Sequence, residues 1–177
     1  AYMIDSEYKS TTDLVHYLID NVSKNGYMLL NIGPKPDGTI PDEDKSLLEG
    51  IGKWLEVSGE AIFDTDTWDK YGEGPTQMTE SGPFSDNRAK LKYTAQDFRF
   101  TTKGNSLYAT ALGWPSKDFT IESMDKLFDN EVESVELLGS NEKVEWKQTK
   151  EGLHITRPDN KPCDHAVSFK INRKENL

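Results

Sequence analysis

The sequence lacks several features by which classes of protein are recognised. It has one cysteine, Cys163, in 177 residues, which excludes an internal disulfide and a multi-cysteine metal site. Acidic residues outnumber basic ones by 31 to 21, for a net charge of −10. Because a basic surface is what attracts phosphate, we expect neither nucleic acid nor an anionic membrane as a partner. No apolar run approaches the roughly 20 residues of a membrane-spanning helix.

Few residue patterns that carry chemistry are present. There is no Gly-x-Ser-x-Gly and no His-x-x-x-His pair, and residues 33–38 are no phosphate loop because two of them are prolines without an amide hydrogen. The three histidines do not cluster in the sequence and are interpreted as structural. Asp64 and Asp66 form a carboxylate pair, but in a chain with 31 acids such pairs arise freely. Nothing predicts a metal or a cofactor.

The most apolar segment of the first third of the chain is residues 27–32. It ends at Gly33-Pro34 and is typical of a short strand that is buried on both faces. Asn31 alone breaks the apolar run, and its amide needs partners in the protein or in a ligand. A helical pattern precedes the segment, after capping-box spacing at residues 10–13, and a second helix is predicted to start at Pro41.

Helix, strand and helix together have the form of one α/β unit. A single strand forms no sheet, and one that is apolar on both faces favours parallel neighbours on both sides. No such neighbours are visible downstream, so we expect the chain to be part of something longer. The alternative is that a downstream strand pairs with residues 27–32 in a mixed sheet.

From residue 60 the helical period gives way to alternation. Residues 64–90 are rich in Asp, Thr, Gly, Pro and Ser and predict a long, structured surface loop that contains Trp68 and Tyr71. Short alternating segments with polar turns follow, and they predict an antiparallel sandwich. The predicted strands cover residues 98–102, 106–112, 119–121, 134–138, 144–148, 153–156 and 166–171.

Aromatic rings in loops indicate one possible function, because an aromatic face matches the apolar face of a sugar ring. Trp68 and Tyr71 are the better ligand candidates, and Trp114 also lies in a loop, whereas Trp146 in an alternating strand is predicted to be core. A non-catalytic carbohydrate-binding or structural sandwich module therefore stays open as an alternative. A protein-interaction scaffold would need an exposed apolar patch.

Several longer motifs occur in one order along the chain. They cover residues 7–10, 14–24, 26–41, 51–62, 98–109, 112–115 and 135–139. These motifs resemble those of the α-L-fucosidases of glycoside hydrolase family 29. The first block is long and highly specific, while the motifs at residues 98–109, 112–115 and 135–139 are weaker singly but occur in the right order.

The resemblance implies a fold and an activity. Residues 1–59 would be the C-terminal end of a (β/α)8-like catalytic barrel, and residues 60–177 an appended antiparallel β-sandwich with a long entry loop, which is an α+β class. Enzymes of this family remove terminal α-L-fucose with retention, through a covalent glycosyl-enzyme. The implied partners are a fucosylated glycan and the N-terminal catalytic barrel of the same protein, which this chain lacks.

The resemblance assigns no catalytic residue to the chain, because nothing in it matches the sequence around the family's nucleophile or acid/base. Barrel active sites lie at the carboxyl ends of the strands, so Asn31, Lys35 and Asp37 are expected at the rim, binding substrate or supporting neighbouring loops. Trp68 is the fourth candidate for substrate binding. We expect the chain alone to be inactive, and its parent to be periplasmic, secreted or lysosomal.

Overall fold

A computed structural model describes residues 8–76, 92–125 and 131–174. These ranges contain two helices, short 3-10 turns and eight strands, which confirms the predicted α+β class. The helices are α1 (Thr11–Ser23) and α2 (Asp42–Ser58), and the strands are β1 (Asp66–Glu73), β2 (Phe98–Lys103), β3 (Ser106–Ala111), β4 (Phe119–Ile121), β5 (Val132–Leu137), β6 (Trp146–Thr149), β7 (Gly152–Ile155) and β8 (Val167–Arg173).

Both helices begin close to their predicted starts. The Ser10 hydroxyl accepts a hydrogen bond from the Asp13 amide, and the Asp13 carboxylate accepts one from the Ser10 amide, so the predicted capping box is confirmed. Pro41 is the N-cap of α2 rather than its first helical residue, and three acidic residues fill the first turn. Neither helix in the described part of the chain is long and apolar enough to cross a membrane.

The strands form two antiparallel sheets, as alternation in the sequence predicts. One sheet has the order β1-β2-β3-β8-β5, and the other has the order β4-β7-β6. All seven predicted strands are found, with ends shifted by no more than about two residues, as is usual for element boundaries. The two inner faces share one apolar core, in which Phe100, Leu107, Leu153 and Phe169 are fully buried.

The opposite face of the five-stranded sheet is also covered, because the helical segment packs on it. Arg99 and Thr101 of β2 point away from the sandwich core yet are buried. The Thr101 hydroxyl donates to the Ala61 carbonyl at 2.8 Å, and the Trp54 indole on α2 donates to the Ala166 carbonyl at 2.9 Å. The five-stranded sheet is therefore the middle of three layers. The predicted domain boundary between residues 59 and 60 stays a prediction.

The predicted buried strand at residues 27–32 is not formed. The segment has no ladder partner among the described strands, so the mixed-sheet alternative is wrong as well. Tyr27 is 96% exposed and Leu29 is 90% exposed. The physical reason is that an apolar strand is stabilised by neighbours on its edges and faces, and none of the described strands lies there.

The predicted surface loop over residues 64–90 is wrong in its first part. Residues Asp66–Glu73 form β1, which pairs with β2 at the edge of the larger sheet. A bulge between Thr67 and Gly72 interrupts the register, and such a bulge breaks the alternation that identifies a strand in sequence. Residues 77–90 of the predicted loop lie outside the described residues.

Candidate functional site

The loop that follows the exposed segment is a tight turn held by its own hydrogen bonds. The Gly38 amide donates to the Lys35 carbonyl at 2.9 Å, and the Lys35 amide donates to the Thr39 carbonyl at 2.8 Å. Pro36 lies in the second position of this turn, which suits its fixed φ. Gly38 has φ +85°, a value that strains other residues. The sequence from Lys35 to Thr39 therefore fixes the backbone of this loop.

Asp37 contributes to the same turn through its side chain. Its Oδ1 accepts from the Thr39 amide at 2.9 Å and from the Thr39 hydroxyl at 2.7 Å. The backbone hydrogen bond, followed by the hydroxyl, lowers the pKa of Asp37 below its usual value. Asp37 is thus an ionised, exposed carboxylate that stabilises the loop, and this geometry suits a hydrogen-bond acceptor better than a proton donor.

Asn31 and Lys35 are the other two predicted site residues on this segment. Asn31 is exposed and Lys35 is half-buried. Neither side chain has a hydrogen bond or an ion pair with the described part of the chain. The structure therefore leaves two groups available. The Asn31 amide lies four residues before the turn, and the Lys35 ammonium belongs to the first residue of the turn. Their roles at a substrate site stay predictions.

Trp68 lies in β1 and not in a loop. Its ring is half-buried and meets Phe100 edge to face, with centroids 5.1 Å apart and planes at 81°. Part of the ring therefore packs on the sandwich core, and its role as a sugar platform stays a prediction. Tyr71 of the same strand is 52% exposed, with the Lys24 ammonium 4.6 Å from its ring centroid. That contact is a cation–π interaction between β1 and α1.

The other tryptophans named in the sequence are both partly buried against the sandwich core. Trp146 packs there as predicted. Trp114 has the Arg157 guanidinium 5.0 Å from its ring centroid, so one face of the ring is covered by a cation. A bare aromatic platform for a sugar is thus not what the structure presents at Trp114.

The carboxylates Asp64 and Asp66 flank the start of β1. Both are exposed, and Asp64 lies 3.7 Å from the Lys103 ammonium. This placement, next to an edge strand of the sandwich, is that of surface residues and agrees with giving them no catalytic role. Across residues 8–76, 92–125 and 131–174, no group of three His, Cys, Asp or Glu side chains is arranged to hold a metal ion.

Sequence reasoning missed a buried ion pair between α1 and β2. Asp20 Oδ1 lies 2.6 Å from Arg99 Nε, and both side chains are almost fully buried. Lys24 donates to the same carboxylate at 2.8 Å. Burial alone would raise the pKa of Asp20, but hydrogen bonds from Lys24 and Arg99 outweigh it and lower that pKa. The pair fastens the helix that precedes the exposed segment to the sandwich.

A second contact between the layers joins two of the three histidines. His16 on α1 is buried, and its Nε2 lies 3.0 Å from the His165 carbonyl. Thr12 contacts the His165 ring, with 2.8 Å between its hydroxyl and Nδ1. Burial lowers the pKa of His16 below its usual value. The expectation of structural histidines fits this placement, but His16 and His165 meet although they are distant in sequence.

Comparison with known proteins shows which family has this sequence and fold. Residues 1–60 match the sequence model of Alpha-L-fucosidase, and residues 90–172 match that of the Alpha-L-fucosidase C-terminal domain. The plasma alpha-L-fucosidase of Rattus norvegicus is 32% identical over 157 residues, which are 86% of this chain and 29% of that protein. The tissue alpha-L-fucosidase of Homo sapiens is 26% identical over 93% of this chain and 31% of its own length.

Solved structures agree with this. The α-fucosidase of Thermotoga maritima is 29% identical and superposes with a TM-score of 0.72 over 97% of this chain and 36% of its own. A second structure of that enzyme, in complex with fucose, is 30% identical with a TM-score of 0.68, over 92% of this chain and 34% of its own. The chain spans about a third of the length of these relatives. With two successive family models matched in order, it belongs to the α-L-fucosidases of glycoside hydrolase family 29 and corresponds to their C-terminal part.

Proposed function

We propose that the protein of which this chain is a part is a retaining α-L-fucosidase that removes terminal α-L-fucose from glycoconjugates. Residues 8–59 then complete the catalytic domain, and the sandwich supports them from the opposite side. Support comes from the family membership and from relatives whose structures contain fucose. The catalytic nucleophile and acid/base lie outside this chain, so the chain alone is inactive.

The observation that carries the proposal is the exposed apolar segment at residues 27–32. Tyr27 and Leu29 are almost fully exposed, although the helices on both sides of the segment are packed on the sandwich. The apolar segment between these two anchored helices has the length and composition of a buried parallel strand. The neighbouring strands of a catalytic barrel would cover it.

The turn at residues 35–39 follows that segment at its carboxyl end. Active sites of (β/α)8 barrels form at this end of the strands. We therefore place Asn31, Lys35 and Asp37 at the rim of the fucose site. Asn31 and Lys35 contact substrate or a neighbouring catalytic loop, and Asp37 holds the turn in shape through Thr39.

The test compares this chain with the whole protein on a chromogenic α-L-fucoside. The whole protein is expected to hydrolyse it, and the chain of residues 1–177 to release no chromophore above background. Asn31→Ala and Lys35→Ala in the whole protein are expected to lower kcat/KM, whereas Lys53→Ala, an exposed position on α2, serves as the matched control. Turnover by the chain alone would overturn the division of labour proposed here. An inactive whole protein would overturn the activity itself.

We further propose that the protein acts outside the cytosol, in the periplasm, in the medium or in a lysosome, where glycoconjugates are degraded. One relative is named as a plasma enzyme, which supports export for that protein. Fractionation of cells that express the whole protein, with immunodetection of each fraction, tests this. Recovery in the cytosol alone would contradict it.

A further inference from the structure

A groove of about 480 Å³ opens between the two sheets of the sandwich, and none of residues 27–32 lines it. Its walls come from the end of β1, from the residues before β2, and from β4 with the loop that precedes it. His154 of β7 also lines it. This volume lies within the usual range for small-molecule sites. We call it the sandwich groove.

Part of the lining is apolar and rigid. The rings of Phe98 and Phe119 stack with centroids 5.5 Å apart and planes at 28°. Phe98 is buried in the core, and Phe119 is half-buried above it. Phe119 also packs on Phe169 at the centre of the sandwich. The groove therefore has an aromatic wall whose position is fixed by the core.

The rest of the lining offers hydrogen-bonding groups. Gln96, Ser116 and Lys117 are exposed, and their side chains have no hydrogen bond or ion pair with the described part of the chain. Thr120 and His154 face each other across β4 and β7, with 3.3 Å between the hydroxyl and Nδ1. The groove thus presents donors and acceptors at several points around the aromatic wall.

The carboxylates of the groove limit the ligands that fit it. Asp118 and Glu122 line it, and so does Glu73, whose two oxygens accept from the backbone amides of Glu122 and Ser123 at 2.8 and 2.7 Å. Among the described residues that line the groove, Lys117 is the only lysine, so acidic groups predominate there and disfavour phosphate or any other anion. No cluster among the described residues is arranged for a metal ion. A neutral ligand with many hydroxyl groups and one apolar face satisfies each of these conditions.

We propose that the sandwich groove binds a neutral pyranose unit of a glycan, with one face of the ring against Phe119 and its hydroxyl groups bonded to Gln96, Lys117 and His154. None of the candidate fucose-site residues Asn31, Lys35, Asp37 and Trp68 lines this groove. It would hold the glycan by a sugar other than the one that is cleaved. The carbohydrate-binding site that we propose for the sandwich is therefore this groove, and not Trp68 or Trp114.

The experiment measures sugar binding to the whole protein by saturation-transfer NMR. The probes are methyl β-D-galactopyranoside, N-acetyl-D-glucosamine and L-fucose, with inorganic phosphate as the anionic control. Ser116→Trp fills the groove with a bulky ring, and the double substitution Gln96→Ala with Lys117→Ala removes two exposed groups without touching the core. Lys150→Ala, an exposed lysine in the turn between β6 and β7, is the matched control.

We expect at least one neutral sugar to bind in the millimolar range. The double variant should weaken that binding by roughly fivefold or more, the loss expected for one or two hydrogen bonds, while Ser116→Trp abolishes it and Lys150→Ala leaves it unchanged. The proposal fails if no probe sugar binds at about 10 mM, a Kd worth less than about 3 kcal/mol. It also fails if groove variants bind as Lys150→Ala does, or if phosphate binds more tightly than the sugars.

Hydrolysis of the chromogenic α-L-fucoside by the same preparations tests the proposed fucosidase activity independently of sugar binding in the groove. An enzyme that hydrolyses the fucoside but binds no sugar in the groove contradicts the groove alone. A protein that binds sugar in the groove but hydrolyses nothing contradicts the catalytic function alone. Because none of residues 27–38 lines the groove, the groove variants should leave hydrolysis of the small fucoside unchanged.

Discussion

The sandwich and the helical segment both contain apolar side chains, and these lie in opposite environments. In the sandwich, Phe100, Leu107 and Phe169 are fully buried between two sheets. In the helical segment, Tyr27 and Leu29 are almost fully exposed between two anchored helices. The difference shows what an apolar pattern can and cannot predict. It indicates which segments can be buried, but not whether the strands that would bury them are in the same chain. The sandwich strands find partners within the chain, and residues 27–32 find none among its described strands.

The largest loss of stability is expected from truncating a buried side chain in the sandwich core. Phe169→Ala removes a fully buried ring and should lower the free energy of unfolding of this chain by about 3–5 kcal/mol, through lost transfer energy and a residual cavity. Urea denaturation followed by tryptophan fluorescence measures it. A loss below about 1 kcal/mol, the average for any substitution, would mean that the core shared by the two sheets does not hold the chain together.

A smaller but still large loss of stability is expected from breaking the buried ion pair between α1 and β2. Asp20→Ala leaves the buried guanidinium of Arg99 without its carboxylate and should cost about 3 kcal/mol. The matched control is Lys45→Ala, which breaks an exposed pair with Asp42 and should cost under about 0.5 kcal/mol. Equal effects of the two substitutions, measured by the same denaturation, would show that the contact between helix and sheet contributes no more than surface charge.

Acidic pH should also lower the stability of the contact between α1 and the sandwich, at His16. Burial lowers the pKa of His16 below its usual 6.5, against smaller raising effects of the His165 carbonyl and Asp13. The unfolded chain then takes up a proton more readily than the folded one, so this contribution to stability is present above pH 6.5 and is lost as pH falls below it. Tyr93 and Arg99 also face this ring.

Denaturation midpoints measured between about pH 7 and about pH 5 should therefore fall, and His16→Gln should reduce the slope. The lowered pKa values of Asp20 and Glu60 act in a separate range, because their contribution is lost only as pH falls below the usual 3.8 and 4.5. A slope that is the same in His16→Gln and in the unchanged chain would assign the acid sensitivity to other groups.

The smallest change in the stability of this chain is expected from a substitution in the exposed segment at residues 27–32. Leu29→Ser removes an apolar side chain that is 90% exposed, so the free energy of unfolding should change by less than about 0.5 kcal/mol. In the whole protein, the same substitution should destabilise the catalytic domain, since the proposed barrel strand would bury this side chain. A large loss in the chain alone would contradict the exposed placement of the segment.

The features that sequence predicted correctly depend on local signals. The capping box at Ser10 requires only the residues of one turn, and the strands of the sandwich show alternation within a few positions. The motifs at residues 26–41 and 51–62 are long enough to indicate the family without any structure.

The features that sequence missed depend on contacts between distant residues. β1 was hidden because exposed charges and a bulge interrupt its period. The pairing of Asp20 with Arg99 joins positions 79 residues apart, and the only local hint was a carboxylate beside Ile19 in an apolar stripe. The groove is assembled from four separate parts of the chain. No spacing rule brings such groups together before the fold is known.

Hydrogen exchange at the backbone amides of residues 27–32 shows whether this segment is a strand that lacks its partners in this chain. In this chain alone these amides have no ladder partners, so they should exchange nearly as fast as an unfolded peptide. In the whole protein they should be strongly protected, because a barrel strand has hydrogen bonds on both edges. Fast exchange in the whole protein would contradict the account, since the segment would then be exposed even where its partners are present.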